Sequence, residues 1–131
     1  MQANRRADTK PEMQLRSALH RLGLRFRKDV FVRTPSRRAS VDVLFPRQRI
    51  AVFVDGCFWH GCPDHMTWPQ ANADWWRAKI TRNQERDRQV SADLRAVGWI
   101  VIRVWEHEQP DEAAQMIWRA IRTPHLAEVA G

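Results

Sequence analysis

The run Ile50-Ala51-Val52-Phe53-Val54 is apolar on both faces, and Asp55-Gly56-Cys57-Phe58-Trp59-His60-Gly61-Cys62-Pro63-Asp64-His65 follows it without a spacer. A strand with no polar face must be covered on both sides, which calls for a central place in a sheet packed between layers. The eleven residues after it bring two thiols, two imidazoles, two carboxylates and two adjacent aromatics. A plain connecting loop has little use for that mixture. It reads as an active-site loop braced by a metal and leaving the end of a buried strand, where side chains converge while the strand holds them still.

The rest of the chain supplies the layers. Thr9-Lys10-Pro11-Glu12 reads as a capping box, with Leu15, Ala18, Leu19 and Leu22 following at helical spacing until Gly23 stops the helix. Residues 24–32 fit a period of two only in part, which predicts a strand with an irregular middle; residues 41–45 and 50–54 form two more, joined by the turn Pro46-Arg47-Gln48-Arg49. Asp74 serves as N-cap for a long helix over 75–97, ended by Gly98. One stripe of that helix runs Trp76, Ile80, Asn83, Asp87, Val90, Leu94, Val97, and its polar middle predicts passage over something wet or charged. A fourth strand over 99–105 and an amphipathic helix over 111–122, with Met116, Ile117, Ala120 and Ile121 inward, complete the order. The expectation is one domain, 1–131, an α/β sandwich with a mixed β-sheet flanked by helices.

Charge narrows the partner. The chain has 131 residues and a formal net charge of +7, and arginine dominates its 22 basic residues. Guanidinium forks match phosphate and guanine edges, so nucleic acid is the expected polyanion. No stretch approaches the ~20 apolar residues of a membrane span, and the N-terminus lacks the apolar segment of a signal peptide, so a cytoplasmic protein with no membrane partner is expected. In that reducing compartment two cysteines suggest metal ligation before a disulfide.

Cys57, Cys62, His65 and, after the last strand, His107 make a tetrahedral Cys2His2 set for structural Zn2+. The competing reading has small apolar cysteines and surface histidines, and His60 competes as a ligand. If the four others fill the metal, His60 is left to act as general acid or base. Asp42 lies inside an apolar strand, where an unpaired charge is costly; it either pairs with an arginine such as Arg38 or Arg49, or ligates a hard cation such as Mg2+. Asp55 and Glu12 join it as a candidate carboxylate cluster with His60, although Asp55 also suits an Asp-Gly turn and Glu12 a capping box. A cation and a nearby imidazole are the equipment of phosphodiester hydrolysis. Neither a Ser-His-Asp set nor a glycine-rich phosphate loop is evident in the sequence.

Trp99, Trp105 and Trp118 fall in regular elements and read as core. Phe58 and Trp59, adjacent in a tight loop, read either as a wedge that enters between base steps or as a small cluster over the zinc. On the long helix Arg77, Lys79, Arg82, Arg86 and Arg88 either track phosphates or form a solvated face, with Glu85 paired to Arg88.

Together Asp8-Thr9-Lys10-Pro11-Glu12, Asp42, Asp55-Gly56-Cys57-Phe58-Trp59-His60-Gly61-Cys62, Asn83-Gln84-Glu85-Arg86-Asp87-Arg88, Gly98-Trp99 and Val104-Trp105-Glu106 resemble the very short patch repair DNA mismatch endonucleases. The resemblance implies a restriction-endonuclease-like fold of PD-(D/E)xK type and a Mg2+-dependent nick of one DNA strand, 5′ to the thymine of a T:G mismatch. It assigns Asp42 and the Val54 carbonyl to Mg2+, Glu12 to a water-mediated contact and His60 to the scissile phosphate. Phe58 and Trp59 become the wedge, and Cys57, Cys62, His65 and His107 the zinc site; on the helix reading above, Arg82 and Arg86 are the candidate DNA contacts. A monomer suits a single-strand nick, with mismatch-repair proteins as the expected partner class. Some members carry Thr-His where this chain has Val54-Asp55, so Asp55 stands where a second histidine is placed and is a candidate catalytic residue. The segment before the matching region is short, which predicts a short N-terminal arm. Two other functions compete: a restriction- or defence-type nuclease of the same fold without mismatch preference, and a non-catalytic, zinc-braced DNA-binding module.

Overall fold

Apolar residues recurring every three or four positions drive helices onto a sheet, and those recurring every second position build the sheet. The computed structural model, which describes residues 9–56 and 71–122, follows both periods. Helix α1 (Lys10–Arg21) buries Leu15, Ala18 and Leu19, and strands β1 (Arg27–Arg33), β2 (Arg38–Phe45) and β3 (Ile50–Asp55) come next. Helix α2 (Ala73–Ala96) leads to β4 (Ile100–Trp105) and α3 (Pro110–Arg122).

The four strands lie in the order β1-β2-β3-β4, the first two pairings antiparallel and β3-β4 parallel. Parallel neighbours need a long crossover, and α2 lies in it. One core packs α1 and α3 through Leu15, Leu19, Ala114 and Ile117 onto Val43, Phe45, Ile50 and Val52; the other packs α2 through Leu94 onto Ala51, Phe53 and Val101. The all-apolar β3 is therefore covered on both faces, as its composition requires. This is the mixed α/β arrangement expected from the sequence.

Both glycine stops act as expected. At Gly23 (φ 80°) the Leu24 N–H reaches the Leu19 carbonyl at 3.1 Å and the Gly23 N–H reaches His20 at 2.9 Å; Gly98 (φ 97°) ends α2 in the same way, with Trp99 bonded to Leu94 and Gly98 to Arg95. Left-handed backbone of this kind favours glycine.

Several local expectations are corrected. Thr9 is the N-cap of α1 but makes no side-chain cap bond, and Glu12 is 7% exposed on the face that packs inward. The capping box is not formed because Glu12 is drawn to the sheet side, one turn from Arg16 at 3.5 Å. Asn72, with φ 57°, caps α2 without a side-chain bond, which places Asp74 in the first turn. Strand β2 starts at Arg38 because residues 38–40 complete a hairpin with β1, Arg33 opposite Arg38 and Phe31 opposite Ser40. In α3, Ala113, Ala114 and Ile117 are buried, whereas Met116 is 39% exposed. Trp99, Trp105 and Trp118 are half-buried. Arg49 lies over Trp99 and Arg122 over Trp118, so guanidinium planes cover faces that the core leaves open.

Among the described residues no helix is long and apolar enough to cross a membrane. The inward face of α3 gives a direct stability test. Ile117→Ala is expected to cost about 2–5 kcal/mol in chemical denaturation, against roughly 0.5 kcal/mol for Met116→Ala; equal costs would mean that the helix presents another face to the core.

Candidate active site

The β2-β3 ladder runs from Phe45 opposite Ile50 to Val43 opposite Val52. Just past that end a side chain takes over from the backbone: Asp42 Oδ2 accepts the Val54 N–H at 2.7 Å. Asp29, on β1, stands across from Asp42, between the pairs Lys28–Val43 and Val30–Val41. Its φ of 52° accounts for the irregular middle expected of the first strand. Glu12 approaches from α1, and one carboxylate oxygen each from Glu12, Asp29 and Asp42 lies within 4.8 Å of the others.

Three like charges this close cannot all be comfortable without a proton or a cation. The Asp42 carboxyl is pushed up from 3.8 to about 7, chiefly by burial, with Glu12, Asp55 and Asp29 adding repulsion and the Val54 hydrogen bond pulling the other way. A carboxylate so placed has the chemistry to trade its proton for a divalent cation.

Asp55 lines the same cleft, of about 700 Å3, with a different engagement. Both its oxygens receive Nη1 of Arg103, at 3.0 and 3.2 Å. The guanidinium also donates through Nε to Ser91 Oγ at 2.9 Å and through Nη2 to the Asp87 carbonyl at 3.1 Å, and it lies 4.3 Å over the Phe53 ring. This is the charge beneath the polar middle of α2 that its stripe anticipated. The arginines weighed as partners of Asp42 are used elsewhere: Arg49 donates to the Val97 carbonyl at 2.8 Å, and Arg38 lies 4.2 Å over Phe31.

Glu12, Asp42, Val54 and Asp55 thus line one cleft, with Arg86 on its α2 wall. Arg86 donates to Asn83 Oδ1 at 3.1 Å, Arg82 is exposed on the same helix, and Glu85 pairs with Arg88 at 2.7 Å as its spacing suggested. His107 is exposed in the turn after β4, its ring stacked 6.5 Å from that of Trp105. Cys57, Phe58, Trp59, His60, Cys62 and His65 lie outside the described residues. Sequence reasoning missed Asp29, Ser91 and Arg103. A charged residue inside an otherwise apolar strand pattern was the available signal for Asp29 and Arg103; Ser91 carried none.

The architecture defines a mixed α/β protein with a carboxylate cleft beside the carboxyl ends of its two parallel strands. The family described as DNA mismatch endonuclease Vsr matches residues 1–65. Type II nicking enzyme V.NaeI of Lentzea aerocolonigenes is 50% identical over 118 residues, covering 89% of this chain and 71% of that protein. Type II nicking enzyme V.XorIIP of Xanthomonas oryzae pv. oryzae is 39% identical, over 87% of this chain and 82% of its own. DNA mismatch endonuclease Vsr of Escherichia coli K12 is 36% identical, over 81% of this chain and 66% of its own length. The chain belongs to the Vsr family of DNA mismatch endonucleases, the family that its motifs resemble.

Because Asp42 titrates higher in the folded chain than the 3.8 of a free carboxyl, the folded state binds the extra proton between pH 4 and 7, and stability falls as pH rises through that window. In cation-free buffer Asp42→Asn, which removes the titration, should exceed the parent in stability above pH 7 by roughly 2–4 kcal/mol and lose that advantage near pH 4. A difference independent of pH in denaturant titrations would show that Asp42 is not perturbed.

Proposed function

We propose that this protein is a DNA endonuclease of restriction-endonuclease-like fold that nicks one strand 5′ to the thymine of a T:G mismatch. The observation that carries the reading is the Asp42 carboxylate set against the Val54 backbone with Glu12 and Asp29 beside it, in a chain whose relatives are named nicking enzymes and a mismatch endonuclease. A Mg2+ ion suits that donor set, since hard cations prefer several anionic oxygens and this cluster has charge to neutralise. When bound it would lower the pKa of a water and offset the charge developing on the phosphate.

Asp42, the Val54 carbonyl and Glu12 would hold that ion, with Asp29 adjoining. His60 is assigned the proton movement at the scissile phosphate, as an imidazole titrates near the working pH. Asp55, held by Arg103, is assigned the role of fixing the strand end beside Asp42. Phe58 and Trp59 would form the wedge at the mismatch, and Arg82 and Arg86 would contact the backbone. Cys57, Cys62, His65 and His107 have the soft and borderline donors of a structural zinc site that ties their loop to the end of β4. Residues 1–131 would act as one domain and as a monomer.

A second reading is a nicking nuclease without mismatch preference, favoured by the names of the more similar relatives. A labelled T:G duplex beside its matched counterpart separates the two. With Mg2+ the T:G strand should be nicked 5′ to the thymine and the matched duplex spared. Equal cutting selects the second reading, and salt-dependent binding with no cutting of either DNA leaves a non-catalytic module.

Asp42→Ala should lower nicking by at least ~100-fold while duplex affinity is retained. Nicking at the parental rate would remove Asp42 from the chemistry. Protein purified without a histidine tag should contain about one equivalent of zinc; less than half an equivalent would refute the zinc site.

A further inference from the structure

On β1 and β2 one face of the hairpin carries Asp29, Phe31 and Arg33 opposite Asp42, Ser40 and Arg38, while Val30, Val32, Ala39 and Val41 point the other way into the core side. The outward face changes character along its length. At its base are the two carboxylates of the cation cluster; toward its tip are Phe31, 57% exposed, and the arginines. Asp29, Phe31, Arg38, Ser40 and Asp42 all line the cleft, so the hairpin is one of its walls.

Three observations make the tip a binding surface of fixed shape. Arg38 has its guanidinium 4.2 Å over the Phe31 ring and makes no ion pair among the described residues. Stacking fixes the plane of the guanidinium and leaves its N–H edges to donate, the geometry suited to a phosphate. The connection at 34–37 is closed by Thr34, whose N–H and Oγ1 donate to the Arg37 carbonyl at 2.8 and 2.9 Å and whose Oγ1 receives the Arg37 N–H at 3.1 Å. Arg37 Nε in turn donates to Asp93 on α2 at 2.8 Å, and Gln89 holds the other oxygen of that carboxylate at 3.2 Å. The hairpin tip is therefore anchored to the opposite wall of the cleft before any ligand arrives.

We infer that this outward face seats the phosphodiester backbone of the nicked strand, with the Arg38 guanidinium, laid over Phe31, receiving a phosphate about two nucleotides from the one that is cut. The spacing follows from the strand: four residues at about 3.3 Å each separate Arg38 from Asp42, and successive phosphates lie roughly 6–7 Å apart because the backbone winds about the axis as it rises about 3.4 Å per nucleotide. A basic tip and a cation-holding base divide the work along one backbone. The tip takes intact phosphates and the base takes the reacting one. This inference rests on the nuclease reading above and adds a contact to it.

The test measures binding of a T:G duplex by fluorescence anisotropy in EDTA across a salt series, so that nicking plays no part. Arg38→Ala should weaken binding about tenfold at low salt and make the log-log salt slope shallower by about 0.9, the loss of one phosphate contact. Arg38→Lys should restore the slope, and Phe31→Leu should keep the slope while weakening affinity. Neutral methylphosphonate linkages placed singly along the strand should weaken binding of the parent protein about two nucleotides from the nick, and Arg38→Ala should not respond at that linkage. A parental slope for Arg38→Ala, or its full sensitivity to that linkage, overturns the inference. If Arg38→Ala does not fold, the parent scan decides alone, and a scan with no loss near that linkage also overturns it. Parent protein that shows the linkage effect but nicks no DNA would sink the nuclease reading and leave the seat standing.

Discussion

The bond from the Val54 N–H to Asp42 Oδ2 is the constraint around which the cleft is organised. A carboxylate placed there ends the β2-β3 ladder, fixes where the last residues of β3 emerge, and brings negative charge to a half-buried site. The same bond favours the ionised form that burial opposes, so the two influences on the Asp42 carboxyl pull against each other. An apolar residue at that position would leave the Val54 N–H short of a partner and the cluster short of its central oxygen.

Arg103 compensates the second carboxylate of the strand end, Asp55. It stands in β4 beside β3, and Phe53 is its register partner. From there it reaches Asp55, Ser91 and the Asp87 carbonyl at once, and so joins the ends of two parallel strands to the middle of α2. Breaking such a partly buried pair is costly because it strands one charge away from full solvation. The carboxylate nearest to Asp42 along β3 is thereby neutralised by the scaffold, and Arg16 stands 3.5 Å from Glu12, which leaves Asp29 and Asp42 as the cluster members with no ion pair among the described residues.

What could be read from the sequence follows the physics of periodicity. The apolar β3, the glycine stops and the polar stripe of α2 were legible because each is a one-dimensional pattern with one three-dimensional reading. Glu12 was legible as a site residue but its capping role was not formed, since a residue on a buried helix face answers to the sheet before it answers to its own N-terminus. The tryptophans were read as core on element membership alone, whereas arginines lay over two of them and left all three half-exposed. Asp29 was illegible as part of the cluster because its place depends on pairing across the hairpin and on a left-handed backbone, neither of which spacing encodes. The resemblance supplied the family, and the family comparison agrees with it.

The net charge of +7 and the acidic cleft answer each other. A polyanion drawn to the arginines meets, at the base of the hairpin, a cluster that would repel it unless a cation is present. Long-range attraction to the arginines acts on a polyanion whatever the state of the cluster, while like charge opposes the close approach of any anion to an ionised Asp42. Charge is separated by sign along the cleft: Arg38 stands at the hairpin tip and Arg86 on α2, while Asp29 and Asp42 lie at the base. This separation lets one short strand, β2, carry Arg38 and Asp42 on the same face without their neutralising each other.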